Sequence, residues 1–399
     1  MTETAETRKD SYGGTAWDGL PKDFARVPQP VYGGMLAAGA PIKSGVGMVA
    51  ASRDDVEVVL HNPELFTAAQ PSRMGNSRPL LPLEIDGPEQ RKYRKLLDPL
   101  FAPKVVARLE DSVRDLTSEL IDTFADSTEI DFATQFSQVL PTQIFLTILG
   151  VPISELPQML TMKDGAVRMH HMMNKPFDDP EVVAARNANG QQVYAYFDKW
   201  LDHKAEQPGD DLLTGLIDTE GLSREDRLDV CFLMLTAGLD TVTGSLDCFF
   251  TYLAEHPDRR AQLVADPGLA KNVVEELLRW ESPVQIVSRV ALRDTEVRGC
   301  PVTAGELVYA VLGAANVDRS EVEDATEVRF DREVNRHVAF GTGVHRCIGS
   351  HLARLELRVV LQEWHRRIPH YRIKPGITLE YGTGMRATET FPMELGVSS

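Results

Sequence analysis

Cysteine is scarce in this chain: four in 399 residues, Cys231, Cys248, Cys300 and Cys347. None stands in a CxxC or CxxH arrangement, so zinc-ribbon and iron–sulfur readings lack support, and the count suggests no disulfide framework. A reducing compartment is expected. A GxGxxG strand–turn–helix is missing too, so no flavin or nicotinamide site is expected. Positive charge is in deficit: 42 Lys and Arg against 59 Asp and Glu give a net charge of −17, which argues against a general affinity for nucleic acid. The opening MTETAETRKDSYGG has no apolar run, so neither a signal peptide nor a membrane anchor is expected, and the cytoplasm follows by elimination. The most apolar stretch, Leu228 to Leu253, carries Asp229, Asp240 and Asp247, which rule against a membrane span. Repeats, low-complexity tracts and Gly/Ser-rich or Pro-rich linkers are all lacking. Residues 1–16 therefore read as a loose polar tail and 17–399 as one domain. With 43% hydrophobic and 25% charged residues, that domain can build a sizeable core.

The middle of the chain reads as helical. Val106 to Phe124 places Val106, Leu109, Val113, Leu116, Leu120 and Ile121 on one side. Ser223-Arg224-Glu225-Asp226 is a capping box opening a helix that runs to about Leu253 and is apolar nearly all round, as a central helix should be. Lys271 to Trp280 is a further helix, stopped by Ser282-Pro283. Asp86 and Pro88 read as the cap and first turn of another. Val46 to Ala51, Glu296 to Val302 and Thr388 to Val397 alternate like strands. The expected fold class is mainly α with a minor β part.

Three constellations carry chemistry. The strongest is Phe340-Gly341-Thr342-Gly343-Val344-His345-Arg346-Cys347-Ile348-Gly349, running straight into a helical pattern from His351. Backbone N–H groups and the positive end of a helix dipole favour thiolate over thiol at Cys347. Gly341, Gly343 and Gly349 let backbone approach a flat partner, Phe340 gives an aromatic wall, and His345 and Arg346 give donors. Taken alone, such a cysteine is more often inert and structural. The unbroken FGxGxHxCxG pattern with its helical context weighs against that. The second is Thr236-Ala237-Gly238-Leu239-Asp240-Thr241, where weak helix formers sit mid-helix beside an acid that is costly unless paired. The third is Glu276-Leu277-Leu278-Arg279, acid and base on one helix face. Its plain reading is a surface ion pair worth under ~1 kcal/mol.

On these residues the sequence resembles the cytochrome P450 family, from roughly Val31 to the end. The resemblance implies that fold, with haem b (iron protoporphyrin IX) between the long central helix and the cysteine-loop helix, and Cys347 as axial ligand of the iron. It implies that Ala237 and Gly238 leave room for oxygen, that Thr241 hydrogen-bonds activated O2, and that Asp240 relays protons from solvent. Glu276 and Arg279 become a buried pair supporting the cysteine loop. His345, Arg289 and Arg94 become partners for the haem propionates, with Phe340 and Gly341 against the ring. Many relatives have histidine where this chain has Gln90. The proline that often precedes the phenylalanine of Glu327-Val328-Arg329-Phe330-Asp331 is missing as well.

The family consumes two electrons per turnover, so a separate ferredoxin and NAD(P)H-dependent reductase are expected. Arg91, Lys92, Arg94 and Lys95, with Arg346, Arg354 and Arg358, form the candidate docking face. Met159, Met162, Met169, Met172 and Met173 crowd the stretch that roofs the family's substrate pocket, though a flexible core filling explains them equally. His170 and His171, adjacent on a helix, are expected to face apart. Leu83, Ile286, Val287, Met172 and Phe391 are the expected substrate contacts, for a terpenoid, lipid, steroid or aromatic molecule. The expected activity is insertion of one oxygen atom from O2. The alternatives are a peroxide-driven hydroxylase and a non-catalytic haem-binding sensor, both disfavoured by the intact acid–alcohol pair.

Overall fold

A computed structural model describes residues 24–45, 47–70, 73–382 and 385–397. The tail read at residues 1–16 lies outside the described residues. Helices dominate, and short strands gather into a five-stranded, a three-stranded and a two-stranded sheet. In the largest, the order is Ile42–Ser44, Gly47–Ala50, Leu307–Val311, Ile286–Ala291, Phe66–Thr67. Only the pairing of Gly47–Ala50 with Leu307–Val311 is parallel. Gly47 is required there: a Cβ would stand 2.4 Å from the Leu307 carbonyl oxygen.

The strands are shorter than the alternation suggests. Glu296 to Val302 is a hairpin of Thr295–Val297 and Cys300–Val302, turned by Arg298 and Gly299, both at positive φ as a two-residue turn demands. In the expected strand Thr388 to Val397, only Pro392–Leu395 is extended, between Glu129–Asp131 and Tyr371–Ile373. The helix expected over Val106 to Phe124 is broken into Pro103–Val106, a 3-10 turn and Glu110–Asp122.

Two helices position the candidate site. The central helix opens on the Ser223 capping box, with both reciprocal bonds present. It runs Arg224–Gly238, breaks at Leu239, and resumes as Asp240–Glu255. By length and composition Arg224–Glu255 could cross a membrane, but 72% of its most apolar window is buried in the protein, as suits a core helix. The second, Ser350–Arg367, follows the cysteine loop and buries Leu357, Val360, Leu361 and Trp364. Trp364 lies within 5.2 Å of the ring centroids of Phe132, Phe136 and Phe250, an aromatic core that locks this helix against Asp240–Glu255. Ala270–Glu281 ends at Ser282 in the left-handed region, immediately before Pro283.

Candidate active site

The cysteine loop is fixed by its own backbone. The Cys347 N–H donates to the Phe340 carbonyl (2.9 Å) and the Gly341 N–H to that of Val338 (2.8 Å). Gly343, at φ 71°, packs so close to the helix Arg53–His61 that a Cβ would meet the Leu60 carbonyl oxygen at 2.4 Å. Gln90 donates to the Val344 carbonyl (2.7 Å) and Arg94 Nη1 to that of Arg346 (2.7 Å), so both side chains clamp the loop from outside. Arg94 also pairs with Asp98 at 2.8 Å.

Glu276 and Arg279 are wholly buried, not on the surface, and bond to the segment that leads into the loop. Arg279 grips Glu276 with Nε (2.9 Å) and Nη2 (2.7 Å) and donates to the carbonyls of Asn316, Ala325 and Glu327. Arg332 and Asn335, unnoticed in the sequence, also donate to Glu276, at 3.0 Å and 2.8 Å. Burial alone would raise the Glu276 pKa, but these donors together hold it below the usual carboxylate range. Glu275 accepts two hydrogen bonds from Arg354 (2.6 and 2.8 Å) and lies 3.0 Å from His337 Nε2. Burial would raise the Glu275 pKa, but the bonds from His337 and Arg354 hold it at about 2, while burial lowers the pKa of His337 itself. Arg354 also stacks on Phe340, 4.4 Å from its ring centre. Arg358 is likewise committed, to Glu110 at 2.7 Å. Of the basic cluster, Arg91, Lys92, Lys95 and Arg346 remain exposed.

The central helix shows its one opening at this point. Ala237 and Gly238 are exposed although the residues on either side are buried, and a Cβ on Gly238 would meet nothing within 4 Å. Thr241 is half-buried, and its hydroxyl donates back to the Ala237 carbonyl (2.9 Å), leaving its lone pairs for another donor. Asp240 is buried beside Lys163, with Nζ 2.6 Å from Oδ1, and Arg168 Nε lies 3.9 Å from Oδ2. The buried acid thus meets a lysine from the Leu156–Val167 helix. Cys347 is itself accessible, and a Cβ on Gly341 meets nothing.

The residues present suit a group that carries carboxylates, as haem does in its propionates. Arg289 is buried, and its only hydrogen bond goes to the Ser288 carbonyl; burial lowers its pKa, and Asp86 is the only charge that opposes this. Such a guanidinium calls for an incoming carboxylate. His345 Nε2, by contrast, stands 2.7 Å from Asp86 Oδ1. Asp86 holds the N-cap position but does not cap its helix: its other oxygen accepts from Thr67, Ala68 and Ala69. Burial would raise the Asp86 pKa, but the bonds from His345 and Thr67 hold it at about 2. At Cys347 the Gly349 N–H, just before the helix that begins at Ser350, and the nearby Arg94, Arg346 and Arg354 favour thiolate, while the protein packed around this accessible residue opposes them and raises its pKa. A metal bound to sulfur would supply the missing pull toward thiolate.

The expected substrate contacts scatter. Phe391 is fully buried in the aromatic core, 5.2 Å from Phe132, and its backbone N–H donates to Asp131. Ile286 alternates to the face opposite Arg289 and packs beside Phe24 and Tyr32, whereas Val287 shares the Arg289 face. Leu83 and Met172 are 42% and 64% exposed, at the protein surface. His170 and His171 do not face apart: their rings are 4.2 Å apart, because the helix Met169–Met172 is a single turn.

Comparison with known proteins identifies the family. The family model described as Cytochrome P450 matches residues 47–367. Mycinamicin IV hydroxylase/epoxidase from Micromonospora griseorubida is 33% identical, covering 79% of each chain. Cytochrome P450 109 from Bacillus spizizenii is 33% identical over 77% of this chain and 76% of its own. The crystal structure of CYP109B1 from Bacillus subtilis superposes with a TM-score of 0.84 at 28% identity, covering 93% of this chain and all of that one. Fold, loop and relatives converge, and the chain belongs to the cytochrome P450 family of haem monooxygenases.

Proposed function

We propose that this chain binds haem b through Cys347 and inserts one atom of O2 into a hydrophobic small molecule, with electrons from a separate ferredoxin and its NAD(P)H-dependent reductase. The observation that carries the reading is the exposed Ala237–Gly238 step beside half-buried Thr241, in a helix buried on either side of it, together with an accessible Cys347. When bound there, haem iron with a thiolate ligand supplies the activation of O2.

The rest falls to the protein. Arg289 offers an unspent buried cation to a propionate. Gly341 leaves space in the cysteine loop, since an added Cβ would meet nothing, and Phe340 is held by the guanidinium of Arg354 stacked on its ring. The buried Glu276–Arg279–Arg332 network holds the loop rigid, so that the sulfur keeps one position. Thr241 presents its hydroxyl to the opening, and Asp240 next to it can pass a proton inward if its bond to Lys163 opens. Exposed Arg91, Lys92, Lys95 and Arg346 form a positive rim on a chain of net charge −17, suited to an acidic electron donor. A relative solved with testosterone, CYP109E1 from Bacillus megaterium, 25% identical, supports a bulky apolar substrate.

A peroxide-driven hydroxylase would not need Asp240 and Thr241, nor would a haem sensor. The test is product formation from NAD(P)H, reductase and ferredoxin. Thr241→Ala should keep haem and consume NAD(P)H while product falls and peroxide rises. Unchanged product per NAD(P)H would refute the role given to Thr241. A reduced carbon monoxide adduct without the thiolate signature would refute the role of Cys347.

A further inference from the structure

Among the described residues, five arginines are almost wholly out of solvent: Arg186, Arg260, Arg279, Arg289 and Arg386. Arg279 and Arg386 hold carboxylates, those of Glu276 and Glu281. Arg260 faces the Leu253 carbonyl near the C-terminal end of the central helix, where the dipole provides negative charge. Arg289 has the reason already given. Arg186 has none. It lies on the inward face of Pro180–Glu206, the stripe that also buries Val182, Asn189, Gly190 and Val193.

The Arg186 guanidinium donates to two carbonyls, that of Arg73 (2.9 Å) and that of Phe177 (3.1 Å), and the Phe177 ring covers it at 3.8 Å. Its Nε has no acceptor. A guanidinium carries five N–H donors, so two bonds leave three unspent. Burial alone lowers its pKa, and no carboxylate is close enough to oppose this. Of the five arginines only Arg289 shares this condition, a burial-lowered pKa with no carboxylate bonded to it. Structures rarely keep a buried cation without an anion, because truncation or neutralisation would be less costly. Arg186 also joins the segment at Arg73 to the loop at Phe177, which follows the methionine-rich turn Met169–Met172.

We propose that Arg186 is a specificity-determining residue that receives the carboxylate of an amphipathic substrate, whose apolar part extends toward Cys347. This rests on the monooxygenase reading. The carboxylate would take Nε and one Nη in a two-point bond, with the Phe177 ring over the cation.

The test titrates haem-loaded protein with dodecanoate and with 1-dodecanol, followed by calorimetry and by the haem spectrum. The wild type should bind dodecanoate about tenfold or more tightly than the alcohol, as a charge-assisted pair requires. Arg186→Leu should bring that ratio to about one and leave alcohol affinity unchanged, while Arg186→Lys should keep part of the preference. A ratio near one in the wild type overturns the proposal, as does failure of dodecanoate to bind. So does an Arg186→Leu variant that loses both ligands equally together with thermal stability, since that outcome makes Arg186 a clasp between the two loops. The reduced carbon monoxide spectrum of the same samples reports the haem reading separately.

Discussion

Lys163 is 1% exposed in a helix that otherwise buries Met159, Met162, Ala166 and Val167, and its ammonium is 2.6 Å from the Asp240 carboxylate. The pair spans 77 positions of sequence, so only the fold brings it together. A lone lysine among buried apolar residues was the one available signal, and composition alone could not name its partner. Removing one member of a buried ion pair strands the other charge, which costs about 3–5 kcal/mol. Lys163→Met should therefore lower stability by about that much. The double variant Lys163→Met with Asp240→Leu should recover most of the loss, because the stranded carboxylate is gone. Urea midpoints for the wild type, both single variants and the pair measure this. Additive losses would show that the two groups do not depend on each other.

At the scale of elements, the central helix is where local preference and burial pull apart. Glycine and threonine at 238 and 241 mark a weak point in the sequence, and the helix does break, at Leu239, where φ −93° and ψ −61° lie between two regular segments. The sequence read it as a single run to Leu253 because apolar periodicity passes through the break undisturbed. Gly238 has no steric neighbour to hold it as glycine, since an added Cβ meets nothing. Gly238→Ala should accordingly fold, and gain up to about 1 kcal/mol from helix propensity. The added methyl points into space the site needs, so product formed per NAD(P)H should fall in the same variant. A thermal melt and a product-to-NAD(P)H ratio on one preparation separate the effects. A stabilised variant with unchanged product yield would mean that Gly238 does not border the reaction space.

Across the whole molecule, what could be read beforehand was local: the cysteine loop, the capping box, the stop at Ser282 and the mainly helical class all rest on neighbours within ten positions. What could not be read was set by distant packing, as when Asp86 turned to His345 rather than its own helix, or Phe391 turned into the core. The same packing sets the balance of charge with pH. Glu356, on the helix after the cysteine loop, is 4% exposed, and burial raises its carboxyl pKa to about 8 from an ordinary 4.5. Asp247 follows it in direction: burial raises it to about 6, only partly countered by Ser137 and Thr388. A carboxyl that keeps its proton in the fold favours folding fully below its unfolded pKa, and that contribution is lost as pH rises through the folded value. Stability should therefore decline between pH 4.5 and about 8 by the part Glu356 supplies. Glu356→Gln keeps the shape and removes the titration. At pH 8.5 it should exceed the wild type by on the order of 2–4 kcal/mol, and at pH 4 the two should nearly coincide. Urea denaturation of both haem-loaded proteins across that range is the measurement. Parallel curves would mean that Glu356 is already ionised in the folded protein near neutrality, held by a cation that its surroundings do not otherwise display.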